Sequence, residues 1–320
     1  MLVYWSDAPA FAEAPSDDNE ILLFSSYNSR DEFISKLEAD IKSAADRAGY
    51  QLRIVDALDY VELQLAQVNG ARDRGEKAIF VNLVNPDSAV KILQAAGNMK
   101  VVFVNRAPAD LSILNENAVY VGPDESMAGR LQGEWLANYF KEHGKAEIKY
   151  ILLKGPENLT STIQRTDAVL QALADAGIKA VEATSPIVAN YDRQEAFQKL
   201  LPVLSPGLSF DAIISNNDAM ALGAIQALEF LDIDPQKTVI VGIDATQPAV
   251  EALRDGKLSM TAFQDSEIQS EVAVQVLTNM LNGKPFNEGV PYPISKENPY
   301  SITLPFELVT LHHIPQNLYF

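Results

Sequence analysis

The residues best suited to chemistry in this chain stand where apolar runs stop. Ser215-Asn-Asn-Asp-Ala-Met-Ala-Leu-Gly223 and Val241-Gly-Ile-Asp244 each read as a buried strand that ends abruptly in Asn or Asp before a helix begins. In an open parallel α/β sheet, ligands bind just beyond the carboxyl ends of the strands. Amides and carboxylates placed there can donate to and accept from a polyhydroxylated ligand without doing covalent chemistry on it. Val101-Val-Phe-Val-Asn105 repeats the pattern, and Ile21-Leu-Leu-Phe-Ser-Ser-Tyr27 repeats it loosely. These strand ends are expected to line a small-molecule cleft suited to a sugar.

Each candidate has a competing structural role. Asp218 is expected to cap the helix over 219–231, because an Asp at that position satisfies free N–H groups. One cap suffices, which leaves Asn216 and Asn217 to be explained and places Asn217 against a ligand. Asp244 faces the same choice, but the next helix starts near Gln247, which favours a ligand role. Asn105 followed by Arg106 supplies an acceptor, a donor and a fixed cation at one strand end; a surface turn before Pro108 is the alternative. Phe33 opens the first helix and Tyr191 sits in an Asn190-Tyr-Asp192 turn. A flat ring can cover the apolar C–H face of a pyranose while polar groups take its hydroxyls. Taken alone, either ring reads as packing.

The elements that must position these groups alternate in kind. Strand-like runs at 21–24, 51–55, 78–81, 100–104 and 118–121 are separated by amphipathic stretches. The first of these, over 30–48, shows helical spacing at Phe33, Ile34, Leu37, Ile41 and Ala45. A second series runs through 150–153, 181–187, 212–215, 238–241 and 261–263, with a helix over 266–281 and a last strand at 300–304. Repeated β-α units give a parallel sheet covered by helices on both faces. Two series predict two doubly wound lobes, and a chain crossing between them three times makes a hinge rather than a loose linker.

Composition narrows the function. At 320 residues the chain fits two domains. Lys and Arg number 25 against 43 Asp and Glu, a formal charge of −18 that repels phosphate backbones and argues against nucleic-acid binding. No cysteine is present, which excludes disulfides and thiolate chemistry. There is no Gly-rich dinucleotide fingerprint, Walker loop or nucleophile elbow. Of the three histidines, His143 adjoins a helix-ending Gly144 and His312-His313 lie in the tail. Residues 1–18 read as a disordered leader or a truncated signal remnant, with small-x-small patterns at Ala10-Phe-Ala12 and Ala12-Glu-Ala14. Gln316-Asn-Leu-Tyr-Phe320 resembles part of a protease-cleavable tag.

Together these residues resemble the type I periplasmic sugar-binding proteins, and among them the galactose/glucose-binding branch. The likeness runs from about 21 to 309 and rests on Val81-Asn-Leu-Val-Asn-Pro86, Val101-Val-Phe-Val-Asn105, Tyr120-Val-Gly122, Leu152-Leu-Lys-Gly155, Asn216-Asn-Asp-Ala-Met-Ala221 and Gly242-Ile-Asp244. It implies two parallel-sheet lobes joined by a three-strand hinge, with 19–122 plus 265–295 in the first and 123–264 plus 296–310 in the second. A tail follows at 311–320. It also implies that Tyr27 and Asp31 contact the sugar from the first lobe, with Phe33 stacking, Asn105 binding hydroxyls and Arg106 at the cleft edge. Arg165, Asn217 and Asp244 would bind hydroxyls and the ring oxygen from the second. Tyr191 falls where the branch carries a stacking Trp, and Gln264 where it carries a hinge Asn.

Departures are informative. Leu159 and Ser161 stand where the branch has a sugar-binding His and Asp, so Thr160 and Ser161 are left to substitute in part, and which sugar is bound is open. The branch's calcium loop is absent before the second-lobe strand, so neither metal nor cofactor is expected. The resemblance implies a secreted, periplasmic or extracellular monomer, not an enzyme, that hands a monosaccharide to a membrane ABC permease, with a chemoreceptor as a further partner. A sensory module of the same fold is the alternative. A repressor's effector domain fits less well, since the acidic, Pro/Ala-rich start offers no basic helix-turn-helix.

Overall fold

A computed structural model describes residues 21–204 and 207–318. The expected leader at 1–18 and the last two residues of the tag-like segment lie outside the described residues. In chain order the elements are β1 (Ile21–Ser26), α1 (Glu32–Arg47), β2 (Gln51–Asp56), α2 (Val61–Asp73), β3 (Ala78–Val81), α3 (Ala89–Ala96), β4 (Lys100–Val104) and β5 (Ala118–Pro123). Then come α4 (Glu125–Glu142), β6 (Glu147–Lys154), α5 (Thr160–Asp175), β7 (Lys179–Glu182), β8 (Ile187–Val188), α6 (Arg193–Leu200), β9 (Ala212–Ser215) and α7 (Asp218–Phe230). The series closes with β10 (Val239–Asp244), α8 (Gln247–Arg254), β11 (Met260–Gln264), α9 (Ser266–Leu281), β12 (Ser301–Leu304) and β13 (Phe306–Val309).

Two compact units result. The first takes in 21–30, 34–122 and 266–304, and the second 31–33, 123–265 and 305–318. The first sheet has the order β12-β5-β4-β3-β1-β2 and the second β13-β11-β10-β9-β6-β7, with β8 also on β6. Pairing is parallel in β1–β2, β1–β3, β3–β4 and β4–β5 of the first sheet, and in β6–β9, β9–β10 and β10–β11 of the second. The β11–β13 pair is antiparallel, with Gln264 opposite Phe306.

Burial explains the strands. β3, β9 and β10 are buried along their whole length, as strands covered on both faces must be. In β6, Ile148, Tyr150 and Leu152 pack with Leu136 and Phe140 of α4 and Val169 and Leu173 of α5. The alternate residues Ile151 and Leu153 pack with Met220 and Leu228 of α7. A period of two thus feeds two cores from one strand. In the first unit Ile34, Leu37, Ile41 and Ala45 turn inward from α1 at the predicted spacing.

Three expectations need correction. The run at 300–304 is a strand of the first sheet beside β5, not of the second unit, and the chain re-enters the second unit at Pro305 to form β13. A proline has no N–H to donate to a ladder, so Pro305 separates the two strands. The segment after 310 is not a detached tail, because Ile314 and Leu318 pack on the second unit's core. The run at 181–187 breaks into β7 and β8, with Ala183, Thr184, Ser185 and Pro186 between them.

Each sheet reverses its order beside one strand. In the first, β1 lies between β2 and β3; in the second, β6 lies between β7 and β9. Ligands in open α/β sheets bind at such switch points, at the carboxyl ends of the strands. Tyr27 and Asn82 follow β1 and β3, while Gly155 and Asn216-Asn217 follow β6 and β9.

Candidate functional site

In the second unit the strand ends converge on Arg165, which α5 carries and which is buried at 5 % exposure. Its Nε donates to Glu125 Oε2 at 2.6 Å, and one terminal amino group, Nη1, donates to the Asn216 carbonyl at 2.8 Å. Asp244 Oδ1 lies 3.8 Å from that same amino group. Asp244 ends β10 at φ 117°, a left-handed conformation, and Ala245 follows at φ 54°. Side chains rarely adopt such backbone, and it is held where surrounding contacts over-determine it. Burial pushes the Asp244 carboxyl well above its usual range, opposed by Arg165 and reinforced by the Asp218 and Glu125 carboxylates.

Asn217, not Asp218 as expected, caps the helix, and Asp218 takes a different structural role. Asn217 is the cap of α7, its side-chain oxygen accepting from the Met220 N–H at 3.0 Å, while its amide donates to the Tyr191 carbonyl at 3.4 Å. Asp218 is the first residue of the helix, and its carboxyl reaches across to accept from the Thr246 N–H at 2.9 Å and the Thr261 hydroxyl at 2.8 Å. It therefore fixes the turn after Asp244 rather than its own helix. Gly242 makes room for it: a Cβ there would lie 2.1 Å from Asp218 Oδ1. Asn216 is also structural, bonded through its side chain to the Gly155 N–H and the Thr166 hydroxyl.

Asp218 titrates in an unusual range. Burial raises its carboxyl to about 7, against the pull of its Thr261, Thr246 and Ala245 hydrogen bonds. The folded state keeps a proton that an unfolded Asp releases near about pH 3.9. The stability contributed by this group is therefore fully present below about pH 4 and lost as pH rises to about 7. Asp218→Asn cannot ionise. Its melting temperature relative to the parent should rise between about pH 4.5 and 7 and level off above; parallel melting curves would sink this assignment.

Tyr191, at φ 62°, is positioned by its hydroxyl, which lies 2.9 Å from both Ser161 Oγ and Thr162 Oγ1. Its ring packs on Gly155, where a Cβ would meet Tyr191 Cζ at 2.3 Å. Ser161 is half-buried, and Leu159 before it is buried at the start of α5. Gln264 ends β11 at 4 % exposure, and neither its side-chain oxygen nor its nitrogen has a hydrogen-bond partner among the described residues. An unpaired buried amide costs about 1–3 kcal/mol, which makes Gln264 a candidate for facing a ligand.

In the first unit, Asn82 organises the strand ends. It is fully buried and donates to the Val104 carbonyl at 3.0 Å and to Asn105 Oδ1 at 3.4 Å, and its oxygen lies 3.5 Å from the Tyr27 N–H. Asn105 sits at φ 67°, its carbonyl held by the Tyr120 hydroxyl at 2.8 Å. The Arg106 guanidinium stacks 3.3 Å above the Tyr27 ring and donates to the Leu83 and Val84 carbonyls. Asp31 precedes α1 and is half-buried; Phe33, in the first turn, is buried. Both were expected in the first lobe, but they fall in the short segment 31–33 that groups with the second unit.

Sequence reasoning missed Asn82, Glu125 and Gln132. Gln132 of α4 is fully buried and donates to the Ser215 and Gly242 carbonyls, tying β9 to β10 just before Asn216 and Asp244. The polar side chains on the apolar face of α4 were the available signal for Gln132. Nothing local distinguished Glu125 from other acidic residues in a helix's first turn.

The periplasmic binding protein domain matches residues 22–285. A putative rhizopine-binding protein of Rhizobium meliloti is 31 % identical over 264 residues, 82 % of this chain and 80 % of the relative. The D-galactose/methyl-galactoside binding periplasmic protein MglB of Haemophilus influenzae is 32 % identical over 280 residues, 84 % and 83 % of the two chains. The crystal structure of an ABC transporter solute binding protein from Bacillus halodurans with bound myo-inositol superposes with a TM-score of 0.78 at 29 % identity, over 93 % of this chain and 97 % of that one. These relatives are binding proteins rather than enzymes, and nothing in the likenesses favours a sensory module.

Proposed function

The chain belongs to the periplasmic binding protein domain family, as a binding protein rather than an enzyme, and from that premise we propose that it captures a monosaccharide or a related cyclic polyol in the periplasm and delivers it to an ABC permease. The observation that carries the ligand class is the constellation at the second sheet's carboxyl edge: a fixed guanidinium, a buried carboxyl and an unpartnered buried amide, Arg165, Asp244 and Gln264. Such a set offers donors and acceptors and no activated nucleophile. In this reading Asn217, Ser161 and Tyr191 complete the second unit's part of the site. Tyr27, Asn105 and Arg106 supply the first unit's part, with Asp31 and Phe33 at the start of α1. The permease reads the ligand-bound state, because a ligand with different affinities for two states of the protein shifts their populations.

The relatives' ligands support the class and spread within it: a galactoside, a rhizopine and myo-inositol. Leu159 and Ser161 remove a carboxylate and an imidazole from the galactose/glucose pattern, which favours a ligand other than glucose. The test is thermal melting of the protein with hexoses, pentoses, inositols and ribonucleosides. A ligand that binds only the folded state raises the melting temperature, adding about 2.7 kcal/mol of stability at roughly one hundred times its Kd. An inositol or a pentose should give a larger shift than glucose. A shift only with ribonucleosides, or with none of the panel, would overturn the proposed class.

A further inference from the structure

We propose that Glu125 is a positioning residue of this ligand site: its carboxylate fixes the Arg165 guanidinium so that the Nη2 amino group remains as the donor for a ligand hydroxyl. The inference rests on the sugar-binding reading above for the ligand, and on geometry for the rest. Glu125 is buried beside Arg165, with side-chain exposures of 8 % and 6 %, and takes the Nε hydrogen at 2.6 Å. The Asn216 carbonyl takes an Nη1 hydrogen at 2.8 Å, and Nη2 has no hydrogen-bond partner among the described residues. A guanidinium is planar and its donors are rigidly forked, so two fixed hydrogen bonds determine where the remaining donors point.

Stability alone is a weak account of this pair. A buried ion pair roughly offsets its own desolvation, and an apolar pair of similar volume is often as stable. The protein nevertheless builds a dedicated approach for it. Asp124 caps α4, accepting from the Met127 N–H, which fixes the first turn and places the Glu125 carboxylate at the positive end of the helix. One turn on, Gly129 lies against the backbone of Arg165 itself: a Cβ there would be 2.2 Å from the Arg165 carbonyl oxygen. Gly133 repeats the contact against Val169, at 2.5 Å. Residues four apart share a helix face, so Gly129 and Gly133 let α4 pack its backbone directly on α5. That close approach brings Glu125 within hydrogen-bond reach of Arg165.

The experiment compares the parent with Glu125→Gln and Glu125→Leu, reading the Arg165 Nε–Hε resonance by NMR and the binding of myo-inositol, D-galactose and D-ribose by calorimetry. The parent resonance should be displaced and slow to exchange with water, weakened in E125Q and lost in E125L. Affinity for the tightest of the three probes should fall tenfold or more in E125L and less in E125Q, with both variants melting cooperatively. A resonance unchanged in either variant overturns the assignment, as does an affinity within twofold of the parent in E125L. E125Q is isosteric and keeps the comparison available where E125L does not fold. If none of the three binds the parent, the affinity comparison uses whichever hexose, pentose or inositol raises its melting temperature, and the resonance still decides whether Glu125 positions Arg165.

Discussion

Arg165→Met is expected to cost about 3–5 kcal/mol of folding stability at pH 7 and to abolish ligand binding, the largest single effect in this protein. The magnitude is that of removing one partner from a buried ionic cluster, which strands the remaining charges. Glu125 and Asp244, at 2.6 and 3.8 Å from the guanidinium, would lose the cation beside them, and the Asn216 carbonyl would lose its donor. Methionine fills much of the volume, so the loss reports charge and hydrogen bonding rather than a cavity. Acid should repair part of it. Without Arg165 nothing opposes the burial that pushes the Asp244 carboxyl upward, so its protonated form is favoured by folding still more. The defect is then smallest near about pH 4 and grows as pH rises toward 7. Urea unfolding of parent and variant near about pH 4.5 and 7 checks both parts; a loss under about 1 kcal/mol at pH 7, or one that grows with acid, would contradict this picture.

The fold was legible because parallel sheets covered on both faces write themselves as short apolar runs between amphipathic helices. β3, β4, β9 and β10 begin within a residue of their expected positions. β13 was missed because Phe306-Glu-Leu-Val309 directly continues the run at 300–304, and only Pro305 marks the change of sheet. Strand ends carrying Asn and Asp place the candidate residues at the carboxyl edge of each sheet, where each strand order also has its switch point. Roles within that edge were harder to read. Local sequence could not decide between Asn217 and Asp218 as the helix cap, because the choice depends on Thr246 and Thr261, which are distant in the chain. Glu125 was invisible for the same reason. Its partner is forty residues away, and the contact depends on how closely two helices approach.

That closeness makes Gly129→Ala the second large expected effect, and its sign is a contest between two terms. Alanine is favoured over glycine in a helix interior by about 1 kcal/mol, so propensity alone predicts a gain. Against it, the new methyl would sit 2.2 Å from the Arg165 carbonyl oxygen and 3.0 Å from Ala168 Cβ. Backbone oxygen on a packed helix cannot swing aside, so α4 must move off α5. Overpacking of this kind costs typically about 1–3 kcal/mol, and the movement also draws Glu125 away from Arg165. The net expectation is a loss of about 1 kcal/mol, within a range of roughly 0 to 2, together with weaker ligand binding. Gly70→Ala in α2 is the control, because its Cβ would meet only the guanidinium end of Arg74, at 3.0 Å, the tip of a flexible side chain that can rotate away. That substitution should be neutral or stabilising. Melting the two variants side by side separates the terms: equal stability would mean that α4 and α5 do not depend on glycine for their approach, and the route by which Glu125 reaches Arg165 would fall with it.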